Sequence, residues 1–181
     1  KVLIEAVNEW IDINISYRAI EDIYGKNLFF FDEESLALNL KKYQNNIETI
    51  DIDRLYPNGL KIMIKSAPIV YKATVSWREW KVWWLTSNGV LIPSNIEKLS
   101  AYRGFDIFTQ IGEDELLDYK NIIPETKLLA ISKVIAIFWE QWPDIKLGRA
   151  RYLTNENEFH LALENGWKIL FALQDFSITE N

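Results

Sequence analysis

The sequence predicts an α+β protein in two parts. Residues 1–75 read as strand, helix, helix, strand, strand. Residues 76–181 read as an antiparallel β domain with one or two helices. Three observations predict this. Asn88-Gly89 and Asn165-Gly166 each lie between apolar runs, the pattern of a tight β-hairpin. Leu60, Ile62 and Ile64 alternate with Lys61, Met63 and Lys65, the period of a strand with one wet face. Residues 32–43 carry the start and stop signals of a helix.

In chain order, Val2, Ile4 and residues 10–15 alternate loosely and predict a strand, straight or bent. Ser16 is the expected N-cap of a short helix over 17–24, with Ile20, Ile23 and Tyr24 on one face and Gly25 as its left-handed stop. Asp32 is the next N-cap. Glu33 and Glu34 in the first turn and Lys41 and Lys42 in the last complement the helix dipole, at ~0.3–1 kcal/mol per exposed charge. Leu36, Leu40 and Tyr43 form its expected buried stripe.

Ile50 and Ile52 alternate with Asp51 and Asp53, so a strand precedes the turn Tyr56-Pro57-Asn58-Gly59 and the strand from Leu60 returns beside it, antiparallel. Pro57 ends the first strand, and Gly59 is expected at positive φ. Pro68 marks a sheet edge or the start of a strand, and 69–75 continues extended. The unit boundary is expected between Val75 and Trp80. Beyond it, a short helix is predicted over 114–119 and a longer one over 126–141. Leu128, Leu129, Ile131, Val134, Ile135 and Phe138 lie nearly all round the longer helix, which predicts that it is sandwiched.

Composition narrows the function. Apolar residues at 49% support a true core, and a net charge of −6 argues against a nucleic-acid partner. With no cysteine and one histidine, disulfides, thiolate nucleophiles and the usual transition-metal ligand sets are excluded. No apolar run approaches the ~20 residues of a membrane span. The chain opens on Lys1 and not on methionine, so an upstream segment is expected to have been removed.

Gly25-Lys26-Asn27-Leu28-Phe29 leads into Phe31-Asp32 and a helix through Leu40. Ile50-Asp51-Ile52-Asp53-Arg54-Leu55-Tyr56-Pro57-Asn58-Gly59-Leu60-Lys61-Ile62 follows, then Ala67-Pro68-Ile69-Val70. These motifs resemble the POTRA domain of the bacterial cell division family FtsQ, called DivIB in Gram-positive bacteria. That family's pattern is G-x-N-L-F, then V-x-R-x-(W/Y)-P-x-x-L-x-I, then R-x-P-(V/A). Ser66 stands where the family often has arginine. Trp84-Leu85-Thr86-Ser87-Asn88-Gly89-Val90 and Leu161-Ala162-Leu163-Glu164-Asn165-Gly166 are similar to two hairpin motifs of the family's β domain. The family's loop of the type L-P-x-(I/L)-x-G is not matched around Gly104.

The resemblance implies a scaffold without catalysis, cofactor or metal. It implies one membrane span upstream of Lys1 and an extracytoplasmic location at the septum. It implies binding of other bitopic division proteins of the FtsB and FtsL type, through POTRA and β-domain surfaces and by edge-strand pairing. Candidate partner-binding residues are Arg54 and Tyr56, within the motif, and Trp77 and Trp80. The family's partner-pairing strand follows a final helix. Asn181 comes too soon for it, so either the chain is trimmed or it is a relative that ends early.

Each chemical candidate has two readings. His160 is a general base, or a strand histidine facing out between Phe159 and Leu161. Glu113, Asp114 and Glu115 are a hydrolytic or Ca²⁺-binding cluster, or a helix start. Asp51 and Asp53 are a cation site, or a solvated sheet face. Trp77, Trp80, Trp83 and Trp84 have three: hairpin and interdomain core, an exposed partner patch, or a sugar-stacking platform. The last would make the protein a cell-surface carbohydrate- or peptidoglycan-binding module. In an extended strand Trp80 and Trp84 share one face and Trp77 and Trp83 the other.

Overall fold

The computed structural model describes residues 1–25, 32–75, 81–94, 104–108 and 118–173, and these form an α+β protein with two sheets. In the first unit β1 (Val2–Ala6) is followed by α1 (Ile13–Ala19), a 3-10 turn (Glu21–Ile23), α2 (Glu33–Tyr43), β2 (Ile47–Leu55) and β3 (Gly59–Ser66). The sheet order is β1-β3-β2, with β1 parallel and β2 antiparallel to β3. The strand, helix, helix, strand, strand order read from the sequence is therefore present. Leu60, Ile62 and Ile64 are fully buried, in one core with Ile20, Leu36 and Leu40 of the helical layer.

Local chemistry departs from expectation at four places. Residues 10–15 are not a strand, because Asp12 caps α1 instead of Ser16: its side chain accepts from the Asn14 and Ile15 amides. Ser16 lies inside the helix, buried, where its hydroxyl accepts from Gln44 Nε2 at 2.8 Å. Asp32 does cap α2, but Tyr43 points outward, and the buried position past the helix goes to Gln44. Gly59 has no positive φ; among the described glycines that conformation belongs to Gly25, Gly89 and Gly166. What Gly59 supplies is room, since a Cβ there would stand 2.8 Å from Leu55 Cβ.

The second sheet holds β4 (Ile69–Val75), β5 (Val82–Thr86), β6 (Leu91–Pro93), β7 (Gly104–Phe108), β8 (Leu147–Leu153), β9 (Glu158–Leu163) and β10 (Lys168–Ala172), in the order β10-β9-β8-β7-β4-β5-β6. Pro68 stands immediately before β4, and β4 belongs to this sheet. The passage between sheets thus falls at Ala67-Pro68, earlier than the expected boundary at 75–80. The sheet is also not wholly antiparallel: β7 runs parallel to both β4 and β8. The route from β7 to β8 includes α3 (Glu125–Gln141), and such a crossover returns the chain in the same direction.

Leu128, Ile131, Ile135 and Phe138 of α3 share a core with Tyr71, Ala73, Val75, Trp83, Leu85, Tyr152, Phe159 and Leu161. Alternate residues of β4, β5, β8 and β9 supply that face, as strand geometry requires. The helix is not sandwiched: Leu129 and Ile137 are exposed, so it covers the sheet with one side only. Both Asn-Gly hairpins form, joining β5 to β6 and β9 to β10. Trp77, Trp80, Glu113, Asp114 and Glu115 lie outside the described residues, as does most of the helix expected over 114–119. Asp118 and Tyr119 at its end lie in a turn.

Candidate functional site

Among the described residues, those singled out in the sequence do not converge. Arg54 stands at the helix-facing end of β2 and binds Glu33 at the start of α2, with Nε and Nη2 each 2.9 Å from Oε1. It ties sheet to helix. Tyr56 lies beyond it in the β2–β3 turn, 76% exposed. Asp51 and Asp53 are exposed on the sheet face away from the helices. Register sets Asp53 beside Lys61 and Asp51 beside Met63, so the solvated-face reading accounts for them. Among the described residues no group of three or more His, Asp or Glu could hold a metal ion.

Trp83 and Trp84 divide as strand parity predicts. Trp83 is wholly buried under α3, and its indole N–H donates to Asp118 Oδ1 at 2.8 Å. Lys81 Nζ binds the same carboxylate at 3.0 Å and lies 4.9 Å from the Trp83 ring centroid. Trp84 faces the other side of the sheet and is buried there against Trp10 of the first unit, centroids 5.7 Å apart at 65°. Neither ring offers a sugar an open face. His160 points outward between buried Phe159 and Leu161, its Nε2 2.8 Å from Glu158 Oε2 on the same strand face.

The tyrosine shifts are those of packing. Burial, and after it the charges of Asp12 and Asp118, push the Tyr119 hydroxyl up to about 12. Burial alone raises Tyr152.

One edge of the larger sheet presents a main-chain hydrogen-bonding surface that the sequence did not single out. Strand β10 ends the larger sheet, and among the described residues nothing pairs with its outer side. Leu163 N donates to Trp167 O at 2.8 Å, and Leu173 N donates to Asn157 O at 2.9 Å. Bonded and non-bonded pairs alternate between antiparallel strands. Ile169 and Phe171 therefore exchange bonds with Leu161 and Phe159, while Lys168, Leu170 and Ala172 aim their N–H and C=O groups at the open edge.

The side chains near that edge are apolar and basic. Leu170 is 60% exposed and Trp167, at the turn into the strand, 74%. Register sets Leu170 beside His160 and Arg151, and Lys168 beside Ala162 and Arg149, on the sheet face away from α3. Natural edges are usually blunted by charge, proline or a bulge. Here Lys168 is the only charge on a five-residue strand. The local sequence carries only a partial signal: with Ile169, Leu170 and Phe171 in a row, Leu170 puts an apolar side chain on the face opposite Ile169 and Phe171. No family model matches the chain, and no curated protein matches it in sequence.

Proposed function

We propose that this protein is a non-catalytic scaffold of the FtsQ and DivIB type, and that the open side of β10 receives an extended strand from another membrane division protein of the FtsB or FtsL type. The POTRA identity of the first unit is part of this proposal. Its support is the motif across residues 50–62 together with the observed strand, helix, helix, strand, strand order. The single observation that carries the binding mode is the outward main chain of Lys168, Leu170 and Ala172, flanked by exposed Leu170 and Trp167. Strand addition takes affinity from main-chain bonds and specificity from alternate side chains. On this reading the protein works on the extracytoplasmic face of the membrane, anchored by a span outside this sequence.

The burial of Trp83 and Trp84 favours the scaffold over the carbohydrate-binding alternative, since a stacking platform needs an open ring face.

Leu170→Pro tests the edge. It deletes one outward N–H and leaves the bonds between β9 and β10 intact, because proline is tolerated on edge strands. We expect binding to the extracytoplasmic segment of an FtsB-type partner to weaken about tenfold or more, the scale of one lost main-chain hydrogen bond plus the leucine contact. The thermal midpoint should hardly move. Unchanged affinity in a folded variant would overturn the proposal.

A further inference from the structure

Two stiff pieces of chain meet where the sheets adjoin. On the first unit, Asn46 Nδ2 donates to Trp10 O at 2.8 Å, and Gln44 Oε1 accepts from Asp12 N at 2.8 Å. The loop before α1 and the loop after α2 are thereby bound to each other. On the second unit, Ile122 N and Ile123 N both donate to Gly89 O, at 2.9 and 3.3 Å. Asn121 Nδ2 donates to Asn88 O at 2.9 Å. The β5–β6 tip and the segment before α3 are likewise one piece.

Three contacts cross between the pieces. Trp10 packs edge-on against Trp84, which is almost wholly buried on a sheet face that α3 does not cover. Asn45 Nδ2 donates to Tyr119 O at 3.0 Å, and Asn88 Nδ2 donates to Asn45 O at 2.9 Å. The covalent link between the sheets is tied to both sides too: Ala67 N donates to Asn46 O, and Ser87 N donates to Pro68 O, each at 2.8 Å.

We infer that Trp10, Asn45 and Asn88 form a clasp that holds the two units as one rigid body, so that the exposed face of the small sheet and the β10 edge stand in a fixed relation. Units joined by a short link ordinarily move relative to each other unless an apolar contact stops them. Trp10 on Trp84 is that contact. The asparagine bonds add direction, because each needs the partner carbonyl at one distance and one angle.

The chain has no cysteine, so paired spin labels can be placed cleanly. Asp51→Cys and Lys168→Cys put one label on an exposed strand position of each sheet. Dipolar spectroscopy should give one narrow distance distribution. Adding Trp10→Ala with Asn45→Ala should broaden it about twofold or more, while hydrogen exchange shows β3 and β9 still protected. A broad distribution in the labelled parent overturns the clasp. So does a narrow one in the variant with both strands protected. Should Trp10→Ala unfold the first unit, Asn88→Ala alone decides: it removes a bond from the other side, and an unbroadened distribution counts against the clasp.

Discussion

The two Asn-Gly hairpins share a dipeptide and a conformation but not a role. Gly89 has φ 79° and Gly166 φ 88°, the left-handed region that glycine reaches without strain. Around Gly166 a Cβ would meet nothing within 4 Å. At Gly89 it would stand 1.7 Å from Ile123 O and 2.8 Å from Ile123 C. One glycine serves its own turn only. The other also lets the backbone of the segment before α3 lie directly on the tip, where Ile122 and Ile123 bond its carbonyl. Local grammar makes both hairpins, and tertiary contact makes one of them indispensable.

Gly89→Ala is the strongest way to break that contrast. The methyl cannot escape by rotation, and the atom it meets is backbone. The tip or residues 121–123 must shift, with loss of the bonds from Ile122 and Ile123. The expected destabilisation is about 4 kcal/mol or more, the range reserved for steric and network failures. Denaturant unfolding would read it, and a loss below about 1 kcal/mol would mean that the close approach is not a structural necessity.

That difference also shows what the chain made legible. Asn88-Gly89, Asn165-Gly166, Asp32 and the Leu60, Ile62, Ile64 alternation act over a few residues, and each formed the element it predicted. The opposed faces of Trp83 and Trp84 followed from strand parity alone. The cap of α1 did not: Asp12 and Ser16 are both good N-cap residues, and the choice turns on Gln44, which satisfies Ser16 from 28 positions away. The parallel setting of β7, the fate of β4 and the open side of β10 are likewise properties of sheet order. No local pattern encodes which strand, among the described residues, lies at the end of a sheet. The exposed Leu129 and Ile137 of α3 had the same cause, since apolar positions around a helix do not say how many sides are covered.

A second way to sharpen the contrast is alkaline pH. Tyr119 shortly precedes the segment that supports the Gly89 tip, its amide donating to Leu91 O of β6 at 2.7 Å, and its hydroxyl is raised from 10.0 to about 12. A raised acid is held protonated by the fold. Its contribution to stability is complete below pH 10 and is lost as pH climbs from 10 toward 12, because the unfolded chain ionises first. Tyr119→Phe should flatten the fall in stability across that window. Gly166→Ala should leave the slope as it is. An identical slope in the parent and in Tyr119→Phe would remove the buried phenol from the account.

Gly166→Ala is the smallest expected effect and the control for the largest. A left-handed alanine costs about 1–2 kcal/mol. Against this, replacing glycine stiffens the unfolded chain and returns about 0.4–1 kcal/mol. With open space around the methyl nothing else enters, so the net loss should be about 1.5 kcal/mol or less. Measured in the same denaturant series, the two alanines should differ by about 2.5 kcal/mol or more, although both glycines sit in the same left-handed region at φ 79° and 88°. If they destabilise equally, φ alone governs both sites, and the backbone of Ile123 does not press on the first hairpin.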